Sequence, residues 1–321
     1  MVVAECVISQ NMPRHIPIYR NEETKSKLFS FYEKALATWP VSYEELMVLT
    51  RYGDTYVIAS GPKQASTTSA AGATTPLVLL HAAGTNATVW SPNVAALSST
   101  YRLYALDTIG DLGKSVLEDA NYYPKTSQEY GRWLTDVFDG LGIRQAFVIG
   151  SSMGGWITHS VALFASERIK KIVLLDPAAG IPTRTTWARM FLMAAIFPFK
   201  SNYRRIAHKI LGNIVEEGEG EEGKGKKFWF DYMVTAFASK VKPKLGMPTK
   251  FSDLELTKTE VPTLLLIGQE EVIYGSIDTT IERARRLIPH IQVEIIPNAG
   301  HLPNLDQPDL VNTLILKFLA E

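Results

Sequence analysis

Cysteine is almost absent from this 321-residue chain, in which Cys6 stands alone. An intramolecular disulfide is therefore excluded, as is a zinc site made of several thiolates, and a reducing compartment fits best. A surplus of either charge is missing too. Lys+Arg and Asp+Glu number 33 each, so no net charge draws the chain to nucleic acid, anionic lipid or a polyanionic partner. Long apolar runs are also lacking: Phe191 to Phe199, among the longest, falls well short of the roughly 20 residues that span a bilayer. The opening stretch from Met1 to Arg20 lacks the basic start, long apolar core and small-residue cleavage site of a secretory signal. These absences lead us to expect a cytoplasmic protein with no nucleic-acid or membrane partner, and they are compatible with a homodimer.

What the chain does have is apolar residues, 46% of the total, enough for a large core. From Asn21 to Trp39 the spacing of Leu28, Phe31, Tyr32, Ala35, Leu36 and Trp39 follows the helical period, and Pro40 stops it. The next stretch, to Gly61, reads as two strands around a Tyr52-Gly53-Asp54 turn. Pro62 to Pro76, built mainly of Ala, Ser, Thr and Gly, reads as a surface loop. Four short apolar runs follow, "LVLLH", "RLYALD", "AFVIG" and "KIVLLD", with helix-like stretches between the later ones. That alternation predicts a mostly parallel sheet covered by helices on both faces, an α/β fold. It is interrupted over residues 179–257, where aromatic residues lie on helix-like segments without a strand pattern, and it resumes at "VPTLLLIG". Within the interruption, Glu216 to Lys227 is so polar and glycine-rich that it reads as a surface loop. The expected division is an N-terminal helical extension (1–45), a first core segment (46–178), a helical insertion (179–257) and a second core segment (258–321).

Gly150-Ser151-Ser152-Met153-Gly154 fits G-x-S-x-G between a strand and a helix. This is the setting of a nucleophile elbow, in which a strained turn exposes a serine hydroxyl and small neighbours let strand and helix approach. Ser152 is the candidate nucleophile, and Ser151 a neighbour that packs. A serine needs a base. His301, on the loop between the last sheet strand and the final helix, is the candidate; His159, on the helix after the elbow, reads as structural, and His15, His208 and His290 as surface residues. The imidazole in turn needs a carboxylate. Glu271, three residues after Gly268 at the end of a strand, leads, with Glu270 and Asp176 as alternatives. Negative charge developing on a substrate oxygen needs fixed backbone donors. The loop His81-Ala82-Ala83-Gly84 places the N–H of Ala83 for this purpose, with the N–H of Met153 as the second donor, and His81 orienting the loop. Ala82 stands where such a loop usually has a glycine.

Together these motifs resemble the α/β-hydrolase superfamily over about Leu46 to Glu321, with the helical insertion in the place of its cap domain. "ATWPVSYEEL", "DTIGDLGKS" and "GQEEVIY" are similar to small intracellular carboxylesterases whose triad acid is glutamate. The resemblance implies a serine hydrolase that forms an acyl-enzyme on a small-molecule ester and needs no cofactor or metal. The same triad also serves C–C bond or lactone hydrolysis and acyl transfer, and the fold also serves as a ligand-binding receptor. Serine at 152 argues against dehalogenase or epoxide-hydrolase chemistry, which this fold runs with a carboxylate nucleophile. Trp187, Phe191, Phe197 and Trp229 in the insertion are expected to line an apolar substrate pocket, with Met193, Phe228 and Tyr232 near them.

Overall fold

The protein was described from a computed structural model, which describes residues 18–63, 75–182, 184–186, 199–211, 221–239 and 241–321. The first helix, α1 (Glu22–Ala37), starts where Asn21 accepts a hydrogen bond from the Thr24 N–H through its side chain, 2.9 Å. Strands β1 (Tyr43–Thr50) and β2 (Gly53–Ser60) form an antiparallel hairpin whose register pairs Thr50 with Gly53. Its turn is therefore Arg51-Tyr52, one residue earlier than expected, because Gly53 at φ 125 already sits in the ladder. The first strand begins at Tyr43, before residue 46.

The other strands are β3 (Leu77–Leu80), β4 (Leu103–Leu106), the short β5 (Val116–Leu117), β6 (Ala146–Ser151), β7 (Ile169–Leu175), β8 (Thr263–Gly268) and β9 (Ile291–Ile296). The sheet runs β1-β2-β4-β3-β6-β7-β8-β9, with β5 beside β2. From β4 to β9 every pairing is parallel. Alternate strand residues supply two separate cores, as a period of two requires. Leu77, Leu79, Ile149 and Val173 face α1, α2 (Ser91–Ser98) and the C-terminal helix Pro308–Ala320. Val78, Leu80, Val148 and Ile172 face α3 (Ser127–Gly140), α4 (Met153–Phe164) and Ile277–Leu287.

Within 179–257 two long helices are described, α5 (Lys200–Ile210) and α6 (Glu221–Ala238). The second begins inside the stretch read as a loop: residues 221–227 are helical, one i,i+4 pair there being Lys227 with Asp231 at 2.8 Å. Residues 241–250 form neither helix nor strand. Helix α1 is part of the main core, since Phe31 packs edge-on against Phe228 and Tyr232 of α6, with ring centroids 5.4 and 5.8 Å apart. No helix among the described residues is long and apolar enough to cross a membrane. The segments 64–74 and 212–220 lie outside the described residues.

Candidate active site

Ser152 lies between the end of β6 and the first residue of α4, at φ 51 and ψ −113. A non-glycine residue reaches positive φ only where its surroundings hold it there. Here its N–H donates to the Leu175 carbonyl at 2.9 Å and its carbonyl accepts from Trp156 and Ala178, both at 3.0 Å. The glycines around it answer to close packing. A Cβ at Gly150 would collide with the Gly154 carbonyl and Thr158, and one at Gly154 with the carbonyls of Leu80 and His81. The turn therefore brings α4 against β6 and β3 and leaves the Ser152 hydroxyl free of any capping bond. Ser151 points elsewhere: it is buried, and its Oγ meets no partner among the described residues.

Two residues distant in sequence line up on that hydroxyl. Ser152 Oγ is 2.7 Å from His301 Nε2, and His301 Nδ1 is 2.5 Å from Glu271 Oε2. A carboxylate only accepts, so Nδ1 carries the proton and Nε2 is left to accept from the serine. The other Glu271 oxygen accepts from the Ile273 N–H. Glu270, its neighbour, is exposed. Burial pushes the Glu271 carboxyl up, but His301 and these hydrogen bonds outweigh it and hold the group below its ordinary value. Asp176 lies behind Glu271, where burial and the Glu271 charge raise its own carboxyl far above the usual range. Its side chain accepts from the Gly268 N–H at 3.0 Å. These directions favour the negative charge on Glu271, the residue that touches the imidazole. His159, as expected, stands apart, buried with Nε2 2.9 Å from Thr259.

The loop after β3 is held with equal definition. The Ala82 carbonyl accepts from His81 Nδ1 at 2.8 Å, Thr85 Oγ1 at 2.7 Å and Thr85 N–H at 3.1 Å. In a trans peptide C=O and N–H point in opposite directions. Three donors on the Ala82 oxygen thus turn the Ala83 N–H the other way. His81 Nε2 accepts from the Thr108 N–H at 2.9 Å, which fixes the proton on Nδ1, and burial lowers the imidazole to about 4. His81 is a neutral structural histidine. The Met153 N–H, first in α4, lacks a preceding helical turn to accept it.

Ser152, Ala83, Met153 and His301 open into one cavity of about 500 Å³. Its walls come from Ile210 of α5, from Met233, Ala236 and Phe237 of α6, and from the stretch Val241 to Pro248. Ser152 and His301 supply the polar side chains of the lining; the other described lining residues are apolar or glycine, and no charged group is among them. Trp229, expected in the pocket, is outside it. It lies one helical turn before Met233, buried against Phe228 and Tyr232 with ring centroids 5.5 and 5.2 Å away. Trp187, Phe191, Phe197 and Met193 lie outside the described residues. The wall from Val241 to Pro248 was missed because "VKPKLGMP" shows no helical period; its alternating Val241, Pro243 and Leu245 carried a signal of period two.

Residues 77–314 match the family described as Alpha/beta hydrolase family. A Bacillus subtilis protein named as an uncharacterised carboxylesterase is 35% identical over 301 residues, 91% of this chain and 92% of its own. Among solved structures, carboxylesterase CesB from Bacillus subtilis aligns with a TM-score of 0.78 at 32% identity, covering 92% of this chain and 98% of that one. Naproxen esterase from the same organism aligns at 0.77 and 33% identity, with coverage of 92% and 98%.

Proposed function

The chain belongs to the alpha/beta hydrolase family and is a carboxylic ester hydrolase, and on that premise we propose that it cleaves esters of neutral, apolar small molecules through an acyl-enzyme on Ser152. The observation that carries this reading is the line Ser152 Oγ, His301, Glu271 at the base of an apolar cavity. Ser152 Oγ adds to the ester carbonyl carbon while His301 Nε2 takes its proton, and Glu271 stabilises the imidazolium. The oxygen that becomes an oxyanion faces the N–H groups of Ala83 and Met153. Collapse breaks the bond to the leaving oxygen, which receives the proton from Nε2. Water then attacks the acyl-enzyme by the same sequence and restores Ser152 with release of the acid.

In this reading the insertion over 179–257 is the cap, and its apolar wall selects the substrate. Each methylene buried there favours binding by about 0.8 kcal/mol, whereas a charged group would lose its hydration without a counter-ion among the described lining residues. The test has two parts. A fluorophosphonate should label the protein at Ser152, as mapped by peptide sequencing. Among p-nitrophenyl acetate, butyrate, octanoate and palmitate, kcat/KM should peak at an intermediate chain. A maximum at palmitate with interfacial activation would make the protein a lipase, and labelling at Ser152 without any ester turnover would move the chemistry to C–C, lactone or acyl-transfer substrates.

A further inference from the structure

Asp111 is buried beneath the loop that carries Ala83, and the catalytic line of Ser152, His301 and Glu271 does not use it. It belongs to the turn after β4. Its Oδ1 and Oδ2 lie 3.1 and 3.0 Å from the Gly84 nitrogen, and Oδ1 also accepts from the Leu112 N–H at 2.8 Å. Gly84 is the hinge of the loop, at φ 75 with no atom within 4 Å of where a Cβ would be. Space and backbone freedom there permit the Ala83–Gly84 peptide to rotate. The Ala82–Ala83 peptide is fixed through the Ala82 carbonyl, and the Ala83–Gly84 peptide is tied to Asp111 through the Gly84 N–H.

We propose that Asp111 is a positioning residue that holds the Gly84 N–H, and through it the Ala83 N–H, in the orientation that receives the oxyanion. The inference rests on the serine-esterase reading of the same site. The hold is strongest when the carboxylate is ionised, because both oxygens then accept from Gly84. A proton on either oxygen would turn a donor toward the Gly84 N–H and loosen the loop.

Burial pushes Asp111 up to about 7, the hydrogen bonds from Leu112 and Gly84 pull it down, and the Asp107 charge raises it. The other titratable groups whose charges couple to it are the phenols of Tyr19, Tyr130 and Tyr232. Burial keeps all three neutral. For stability the sign is opposite to that for activity. A folded-state value above the unfolded one means that this group's contribution to stability is full below about 4 and is lost as pH rises through about 7. Ionised Asp111 thus weakens the fold while fixing the loop.

The experiment compares wild type, Asp111→Asn and Asp111→Ala with p-nitrophenyl butyrate from pH 5 to 9, reading kcat, KM and melting temperature. Asparagine mimics the protonated acid at every pH. At pH 8 Asp111→Asn should lose about tenfold in kcat with KM within twofold, the loss of a weakened oxyanion donor being smaller than the 10²–10³ for a deleted one. Its kcat profile should lose an ionisation near 7 expected in wild type, and its melting temperature should rise relative to wild type from pH 5 to pH 8. Asp111→Ala should lose more kcat than Asp111→Asn. A profile of Asp111→Asn that superimposes on wild type overturns the inference, and this holds whether or not Asp111→Ala folds. A wild type that hydrolyses the ester and labels at Ser152 keeps the esterase reading when that happens; a wild type that does neither overturns both.

Discussion

At one side of the cavity Ser152 is held at φ 51 between glycines that admit no Cβ, within hydrogen-bond reach of His301. On the other side, Val241 to Pro248 presents apolar side chains from a backbone tied down at intervals. The Lys242 N–H donates to Ile18, the Lys244 N–H to Gly110 and the Gly246 N–H to the Tyr130 hydroxyl. In the first region the identity of each residue matters, because a hydroxyl, an imidazole and a carboxylate have no substitutes at those distances. In the second the backbone is fixed and the side chains need only be apolar and of suitable volume. On the proposed reading, chemistry and choice of substrate should therefore separate by mutation, and the strongest test is to remove the hydroxyl. Ser152→Ala should lower kcat by about 10⁶, in line with the loss of a triad serine, and abolish fluorophosphonate labelling, with melting temperature unchanged. Persistent labelling would take Ser152 out of the mechanism.

A second substitution probes how narrow the definition of the reacting side is. Glu271→Gln should cost about 10⁴ in kcat, since an amide cannot hold the imidazole in the required tautomer. Glu270→Gln, exposed one residue away, should stay within about twofold, as surface substitutions do. Asp176→Asn should fall between them and close to wild type, because burial and the Glu271 charge raise the Asp176 carboxyl toward its neutral form and an amide also donates. If the ranking of Glu271 and Asp176 were reversed, the negative charge would reside on Asp176 and the acid would come from β7.

The same contrast explains what could be read before the structure. The strands were legible because a doubly covered parallel strand is apolar on both faces, and Leu77–Leu80 or Ala146–Ser151 cannot easily be anything else. The elbow was legible because close approach of two backbones requires glycine at particular positions. Spacing from Gly268 ranked Glu271 ahead of Glu270, but what separates them fully is burial, a property of the folded chain. Asp111 left no local sign: its partner Gly84 is 27 residues away, and the contact exists only once β3 and β4 lie side by side. The start of α6 was hidden by its glycines and charges, which disfavour an isolated helix but are overridden when Trp229, Tyr232 and Met233 pack further along it. The Val241 to Pro248 wall was hidden because the segment before it carries aromatic residues at helical spacing.

On the apolar side effects should be graded, and Ala236 is the place to measure them. It is buried in α6 and lines the cavity with Met233 and Phe237. Ala236→Phe should occupy space that a longer acyl chain would use. The kcat/KM for octanoate should fall about tenfold relative to butyrate, the equivalent of losing roughly two buried methylenes at about 0.8 kcal/mol each, while labelling of Ser152 by a small fluorophosphonate persists. Equal losses for both esters would mean that the side chain disturbs the reacting residues, and the two regions would not be separable there.

The smallest effect on catalysis should come from Trp229, one turn before Met233 on the same helix. Its ring lies against Phe228 and Tyr232, and Phe228 and Tyr232 in turn meet Phe31 of α1. It therefore belongs to the contact that joins α6 to α1. Trp229→Phe keeps an aromatic ring and leaves part of its volume empty, so it should cost about 1–2 kcal/mol of stability, toward the low end of large-to-small core changes. The ratio of octanoate to butyrate turnover should stay within about twofold of wild type, because the cavity surface itself is unchanged. Melting temperature and the ester series, measured on one preparation, separate the two outcomes. A stability loss with an unchanged ratio places the boundary between packing and recognition at Met233; a changed ratio moves it at least one turn back along α6, and the aromatic cluster around Trp229 would then act on substrate choice through the position of the helix.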